Sequence, residues 1–257
     1  MMFTHKGSVM AKISLLTGSV LCLLTLANPA FAATLVQYDF TGNAGNEASE
    51  AASFAAPNLS GLSFVRGAGL SATSGANAFS SASWANYAVS PTDYLSFGLN
   101  IASGFTASIN QLVFSSRSSN TGPGDLAILA SIDGGAFGQI ASFEQSGDTV
   151  GNQTLIFSPL TGISNVVFRI VATSTSSANG GTLAGGGTFR VQNFGGTTAS
   201  PFSVNGTVSA APGAVPEPAT WAMMILGMGA VGFAMRRRIK VSEVNFTNHV
   251  RSIARPE

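Results

Sequence analysis

From residue 33 to residue 209 the chain alternates apolar and polar residues with period two, in short runs that never lengthen into a helical stripe. In YLSFGLNI, Leu95, Phe97, Leu99 and Ile101 alternate with Ser96, Gly98 and Asn100, which predicts a strand with one buried and one solvated face. The same alternation places strands around Leu112 and Phe114, around Leu155 and Phe157, through Val166, Phe168 and Ile170, and through Phe202, Val204 and Val208. Gly, Ser and Asn clusters separate them at Asn43 to Asn46, Arg66 to Gly69, Asn120 to Gly124, Asp133 to Gly135, Gly147 to Asn152 and Ser176 to Gly187. Short strands with such punctuation predict an all-β fold, a single antiparallel β-sandwich of jelly-roll type. Within it, Ser131 to Phe137 reads as a hairpin whose Asp133-Gly134 turn needs positive φ. Asn179 to Gly187 reads as a long, flexible surface connection.

The residue types this segment lacks exclude whole classes of chemistry. It contains no Cys, His or Lys, and both histidines, His5 and His249, lie outside it. A Ser-His-Asp or Cys-His nucleophile cannot be assembled, Cys/His zinc sites are ruled out, and no disulfide can brace the fold. Its charges are Arg66, Arg117, Arg169 and Arg190 against Asp39, Glu47, Glu50, Asp93, Asp125, Asp133, Glu144 and Asp148, a formal balance of 4 minus 8. A mildly acidic domain with no basic patch is a poor partner for nucleic acid.

The two ends carry targeting signals. Lys6 and Lys12 precede an apolar segment from Ile13 to Leu26, and Ala30 and Ala32 set small residues where a signal peptidase reads. Residues 1–32 are therefore expected to be a secretory signal peptide, with Met1 or Met10 as its start. Residues 210–218, with three prolines, read as an extended tether. From Trp221 to Met235 the chain is uncharged and apolar, and Arg236, Arg237 and Arg238 follow directly. On hydropathy and the positive stop, residues 219–238 are expected to form a transmembrane helix with Trp221 as its interfacial anchor. Residues 239–257 form a C-terminal tail.

Pro216, Glu217, Pro218, Trp221 and Ala222, followed by a glycine-containing apolar run and the arginine cluster, resemble the PEP-CTERM sorting signal in its PEPxxWA form over residues 215–238. The resemblance implies a Gram-negative exported protein processed by exosortase, a membrane-embedded cysteine protease-transpeptidase. It implies a membrane-anchored intermediate, then release to the cell surface or the extracellular matrix, in association with exopolysaccharide and biofilm. The order of segments, with SIDGGAF in the middle and FRVQNF and SVNGTV near the end, is similar to sandwich domains that precede such signals and to carbohydrate-binding jelly rolls.

Three sets of residues are candidates for a site. Trp84, Tyr87 and Tyr94 cluster in sequence and would form a sugar-stacking platform if exposed, or core packing if not. Asp125, Asp133 and Asp148 lie near loops and offer hard oxygen ligands for calcium, although the D-x-D pattern of a calcium loop is missing. Glu144 and Asp148 are a carboxylate pair of the kind glycoside hydrolysis needs. The expected function is a non-enzymatic structural or adhesive matrix component, with a carbohydrate-binding module as the alternative and a glycoside hydrolase as the second alternative. Exosortase, signal peptidase, the membrane and exopolysaccharide are the expected partners.

Overall fold

The fold is organised about one long strand. A computed structural model describes residues 32–84, 92–193, 200–211 and 218–253. Its strands are β1 (Ala33–Tyr38), β2 (Ser49–Glu50), β3 (Phe54–Ala55), β4 (Leu59–Arg66), β5 (Ser71–Ala72), β6 (Ala78–Ala82), β7 (Tyr94–Ile101), β8 (Phe105–Ser118), β9 (Asp125–Ile132), β10 (Gly138–Glu144), β11 (Gly151–Ile163), β12 (Asn165–Ala172), β13 (Phe189–Gln192) and β14 (Phe202–Ala210); a helix, α1, covers Pro218–Ile253. The central β8 pairs with β11 along one side. Along its other side β14 and β13 lie end to end, the first against residues 105–113 and the second against residues 115–118.

Around β8 an eight-stranded sheet runs β3-β1-β14-β8-β13-β6-β5 with β11 on the free side of β8, and a six-stranded sheet runs β10-β9-β12-β7-β4-β2. All these pairings are antiparallel. This is the two-sheet, all-β architecture that the alternation predicts. The Asp133-Gly134 turn also forms as predicted, with φ of 49° and 78° and Gly135 N–H donating to the Ile132 carbonyl.

An aromatic seam joins the sheets. Phe97 of β7 meets Phe202 of β14 edge-to-face at 4.8 Å and stacks on Phe64 at 5.1 Å and on Phe168 at 5.3 Å. Phe202 in turn stacks on Phe114 of β8 at 4.9 Å. All five rings are buried. Edge-to-face and offset contacts of this kind add to the transfer free energy of burial. In a domain without cysteine they carry the stability that small exported domains often take from disulfides.

Tyr38 of β1 fastens this seam with a polar contact. Its hydroxyl donates to the Leu62 carbonyl at 2.6 Å and accepts from Gly98 N–H at 3.3 Å. Leu62 stands where the β4–β7 register slips, so the hydroxyl of one sheet serves main-chain groups at an irregularity of the other. Burial raises the phenol's pKa above its ordinary value, against the lowering effect of the Gly98 contact, and the hydroxyl stays protonated as a donor. Gly98 is itself required by its neighbour in the sheet, since a Cβ there would lie 2.2 Å from the Val166 carbonyl oxygen of β12.

Two stretches differ from the sequence expectation within the sandwich. The glycine-rich run 179–187 is pinned, not loose: Leu183 N–H donates to Thr175 O, Ala184 N–H to Thr121 O and Gly187 N–H to Ala184 O. Leu183 packs against the core. The second is β8 itself, whose last residues Ser115, Ser116 and Ser118 are buried yet polar. Ser116 donates to Gln145 Oε1 and Ser118 to the Pro123 carbonyl, so hydrogen bonds replace apolar packing there.

The C-terminal segment corrects the expectation of a transmembrane helix. No helix among the described residues is long and apolar enough to cross a membrane. At 1.5 Å per residue the run from Trp221 to Met235 rises roughly 22 Å against a hydrocarbon core of ~30 Å, and Gly227, Gly229 and Gly232 dilute it. Nor does the helix stop at the arginines, since α1 continues to Ile253. Residues 219–238 therefore do not provide the membrane-anchoring helix expected of them. Trp221, Ala222, Arg236, Arg237 and Arg238 are exposed on α1 and Pro218 opens it, while Pro216 and Glu217 lie outside the described residues. The expected signal peptide, including Ala30, also lies outside them; Ala32 is exposed just before β1.

Two stability predictions follow from the polar contacts of β1. Tyr38→Phe should lower unfolding free energy by about 1–2 kcal/mol in urea titrations, because Leu62 O and Gly98 N lose a buried partner. Asp39 accepts from Thr41 Oγ1 and from Asn193 Nδ2, the latter at 2.7 Å, and these bonds hold its pKa below the ordinary value, the Thr41 hydroxyl contributing most. A depressed carboxylate contributes stability that is present above the unfolded value near ~4 and is lost as pH falls through the folded one. Asp39→Asn should therefore flatten the acid limb of the stability–pH curve, and an unchanged limb would contradict the assignment.

Candidate functional site

The four arginines of the sandwich divide into two pairs. Arg66 is structural: Nε and Nη2 donate to the Ser80 carbonyl and Nη2 to the Gly45 carbonyl at 2.7 Å, and the guanidinium lies 3.8 Å over the Phe79 ring. Arg169 is clamped between Tyr94 at 3.7 Å and Phe137 at 4.0 Å on the outer face of the six-stranded sheet. Arg117 and Arg190 are the remaining pair, and sheet register brings them side by side.

Arg190 on β13 stands opposite Arg117 on β8 and opposite Ser80 on β6. Their neighbours Phe114, Phe189, Val191 and Phe79 are core residues, so period two turns Arg117, Arg190 and Ser80 to the outer face. The row Ser80, Arg190, Arg117 ends at Asp148, whose Oδ1 lies 2.8 Å from Arg117 Nη2. Ser74, Ser119 and Thr188 complete the lining of a cleft of about 170 Å³.

Each wall is held by the chain around it. Asp148 sits in the left-handed region at φ 58°, where Asp is among the few tolerated residues, and its N–H donates to Ser118 O at 2.8 Å. The loop before it is braced from inside by Gln145, whose Nε2 donates to Thr149 O at 2.9 Å. Thr188 and Ser119 fix one another, Ser119 N–H donating to Thr188 O and Thr188 N–H to Ser119 Oγ. Gly75 leaves room for the second guanidinium, since a Cβ there would lie 3.2 Å from Arg190 Nη1.

The electrostatics are unbalanced. Burial lowers the Arg190 pKa, the Arg117 charge lowers it further, and Asp148 only partly offsets the two. Arg190 Nε is buried and has no hydrogen-bond partner among the described residues. Two guanidinium groups therefore share one carboxylate, and that carboxylate contacts Arg117. The cleft can donate through guanidinium N–H groups and can donate or accept through the hydroxyls of Ser74, Ser119 and Thr188, while the Ser80 hydroxyl is buried and bonded to Thr73 Oγ1.

The described members of the three sets of residues singled out in the sequence lie as follows. Trp84 is fully buried; its Nε1 donates to the Ser81 carbonyl at 3.2 Å and its ring meets Phe189 edge-to-face at 5.5 Å, so it offers no face to a sugar. Tyr94 is half-buried under Arg169, and Tyr87 lies outside the described residues. The acids are used one at a time: Asp125 accepts from Ser174 Oγ, Asp133 from the N–H groups of Ser164 and Asn165, and Asp148 pairs with Arg117. Among the described residues no group of three His, Cys, Asp or Glu side chains could hold a metal ion. Glu144 is exposed at the end of β10 and does not line the cleft that Asp148 enters.

Arg117 and Arg190 were not singled out from sequence, yet a signal existed. In a segment with no Lys and four Arg, each cation has either a structural partner or an outside one, and a cation on a strand's solvent face is placed for the second.

Comparison with known proteins bears on the C-terminal end and on the sandwich separately. The chain carries a PEP-CTERM protein-sorting motif, matched over residues 214–238, which implies handling by an exosortase-type sorting system and export to the cell surface. No curated protein matches the chain. Among solved structures it is similar to a family 29 carbohydrate-binding module at 14% identity, over 73% of this chain and 96% of that one, with a TM-score of 0.34. A variant of such a module in complex with mannohexaose aligns at 14% identity over 68% of this chain and 92% of that one, with a TM-score of 0.32. Likeness of this degree transfers neither a ligand nor a site.

The burial of Trp84 gives a direct expectation. Trp84→Ala should cost about 3–5 kcal/mol of unfolding free energy in a urea titration. A fold unchanged within about 0.5 kcal/mol would mean that the ring is not in the core.

Proposed function

We propose that the protein is an exported, cell-surface carbohydrate-binding protein, and that its sandwich grips a segment of polysaccharide in the cleft between Ser80 and Asp148. The observation that carries this reading is the register-locked row Ser80, Arg190, Arg117 and Asp148 on the outer face of the larger sheet. Sugars are dense in hydroxyls, and a rigid sheet face that presents guanidinium, hydroxyl and carboxylate groups together can donate to and accept from them with little reorganisation. The cleft, at about 170 Å³, is smaller than the ~300–1,000 Å³ of drug-sized pockets. It suits one residue of a chain that continues over the surface.

No catalytic step is assigned to the domain. It has no His, Cys or Lys, and its aspartates at positions 125, 133 and 148 are engaged separately. The sorting motif at residues 214–238 supports export and handling by an exosortase-type system; in this proposal residues 1–32 direct export and residues 33–209 form the binding domain. Matrix polysaccharide is then the available ligand. A purely structural or adhesive role rests on the domain's low charge and its abundance of Ser, Thr, Gly and Asn; the cleft favours binding over it.

Affinity electrophoresis of the purified protein through gels containing soluble polysaccharides, neutral and acidic, tests the reading. Retardation by at least one of them is expected, and it should be lost in the double variant Arg117→Gln/Arg190→Gln with an unchanged urea midpoint. Unaltered mobility in every gel would contradict carbohydrate binding and leave the structural role.

A further inference from the structure

We infer that the cleft selects acidic polysaccharide, taking a sugar carboxylate or sulfate against Arg190 and Arg117. This rests on the carbohydrate-binding reading and specifies its ligand. Neutral sugars need donors and acceptors but no net charge, whereas this cleft brings two cations together on adjacent strands and answers them with one anion. Placing two guanidinium groups in register is unfavourable by itself, as like charges directly opposite on a sheet are. The lowered pKa of Arg190, caused first by burial and then by Arg117, reflects that cost.

The existing carboxylate does not answer both cations. Asp148 contacts Arg117 through a single Nη2–Oδ1 approach, and its side chain is 57% exposed against 35% for Arg117. Among the described residues the Arg190 Nε is enclosed without a hydrogen-bond partner. An anion set against the Nη edge of Arg190 would supply the missing counter-charge through charge-assisted, two-pronged hydrogen bonds, which guanidinium groups form with planar carboxylates and with sulfate-like oxygens. Ser119 and Thr188 beside it are half-buried and line the same cleft, which places them for ring hydroxyls.

The other arginines argue for the same choice. Arg66 is compensated by main-chain carbonyls, and Arg169 is covered on both sides by the Tyr94 and Phe137 rings, although its Nε is also without a partner among the described residues. A domain with a formal balance of 4 minus 8 repels a polyanion at long range. Binding of an acidic chain must then come from a local site, and Arg117 and Arg190 are the two sandwich cations that sheet register sets side by side.

The test is isothermal titration of the full-length protein with polygalacturonate, dextran sulfate and neutral dextran. At least one acidic polymer should bind ten times or more tighter than dextran, and the better of the two identifies carboxylate or sulfate as the recognised group. Arg190→Gln should weaken that binding about tenfold or more. Asp148→Asn, which keeps a residue tolerant of positive φ and removes the competing charge, should tighten it, a gain that misfolding cannot imitate. Because every variant retains Arg236, Arg237 and Arg238, the differences report the cleft and not the C-terminal cluster. Dextran bound as tightly as either polyanion, with Arg190→Gln unchanged, would overturn the acidic selection and leave carbohydrate binding intact. Absence of binding to all three would overturn both.

Discussion

The contact between Phe97 and Phe202 is the interaction on which the rest of this fold depends. It is the shortest aromatic approach in the seam, it links the two sheets, and each ring leads directly to further stacked rings at Phe64, Phe168 and Phe114. With no disulfide available, the relation between the sheets is set by this packing and by the Tyr38 hydroxyl reaching across to Leu62 and Gly98. A core made this rigid fixes strand register, because a slip of one residue would turn Phe97 to solvent and Ser96 inward. Register is also what makes the outer face specific. The inward positions of Phe114, Phe189 and Phe79 oblige Arg117, Arg190 and Ser80 to share the opposite side.

The cleft is thus a consequence of packing as much as of its own residues. Its arginines are inexpensive to hold because their strands are already fixed, and its carboxylate comes from a loop braced by the buried Gln145. Arg66 is engaged by carbonyls and Arg169 lies between two rings, whereas Arg190 faces a second guanidinium across the β8–β13 register; the Nε–H groups of both Arg169 and Arg190 are enclosed without a partner among the described residues. The C-terminal helix belongs to a different part of the account. It carries a sorting motif that says how the chain is handled, and the sandwich says what it can hold once exported.

The architecture was readable from sequence where one face of a strand is apolar. Leu95, Phe97, Leu99 and Ile101 declare β7, and Val166, Phe168 and Ile170 declare β12. It was hidden where polar side chains point inward, as at Ser116, whose partner Gln145 is 29 residues away, and at Ser118, which bonds the Pro123 carbonyl of the following turn. The site was legible only in part. Asp148 stood out as an acid near a loop, but its partner Arg117 is 31 residues away and Arg190 farther still, and only sheet pairing joins them. Trp84 shows the converse error. Aromatic residues close in sequence look like a platform until the ring is seen against Phe189, inside the core. The apolar run after Trp221 was read as membrane-spanning on composition, and its length and glycine content do not sustain that.

The central claim is that Arg117 and Arg190, and not the other two sandwich arginines, meet the ligand. Nitrogen-15 spectra of the arginine Nε–H groups test this most directly, because a sandwich with four arginines and no lysine gives few such signals. On titration with oligogalacturonate the account predicts that the Arg190 and Arg117 signals move together and saturate while those of Arg66 and Arg169 stay in place. Movement of Arg169 with Arg190 and Arg117 fixed would contradict it, and would place the binding face on the opposite sheet, at Tyr94 and Phe137.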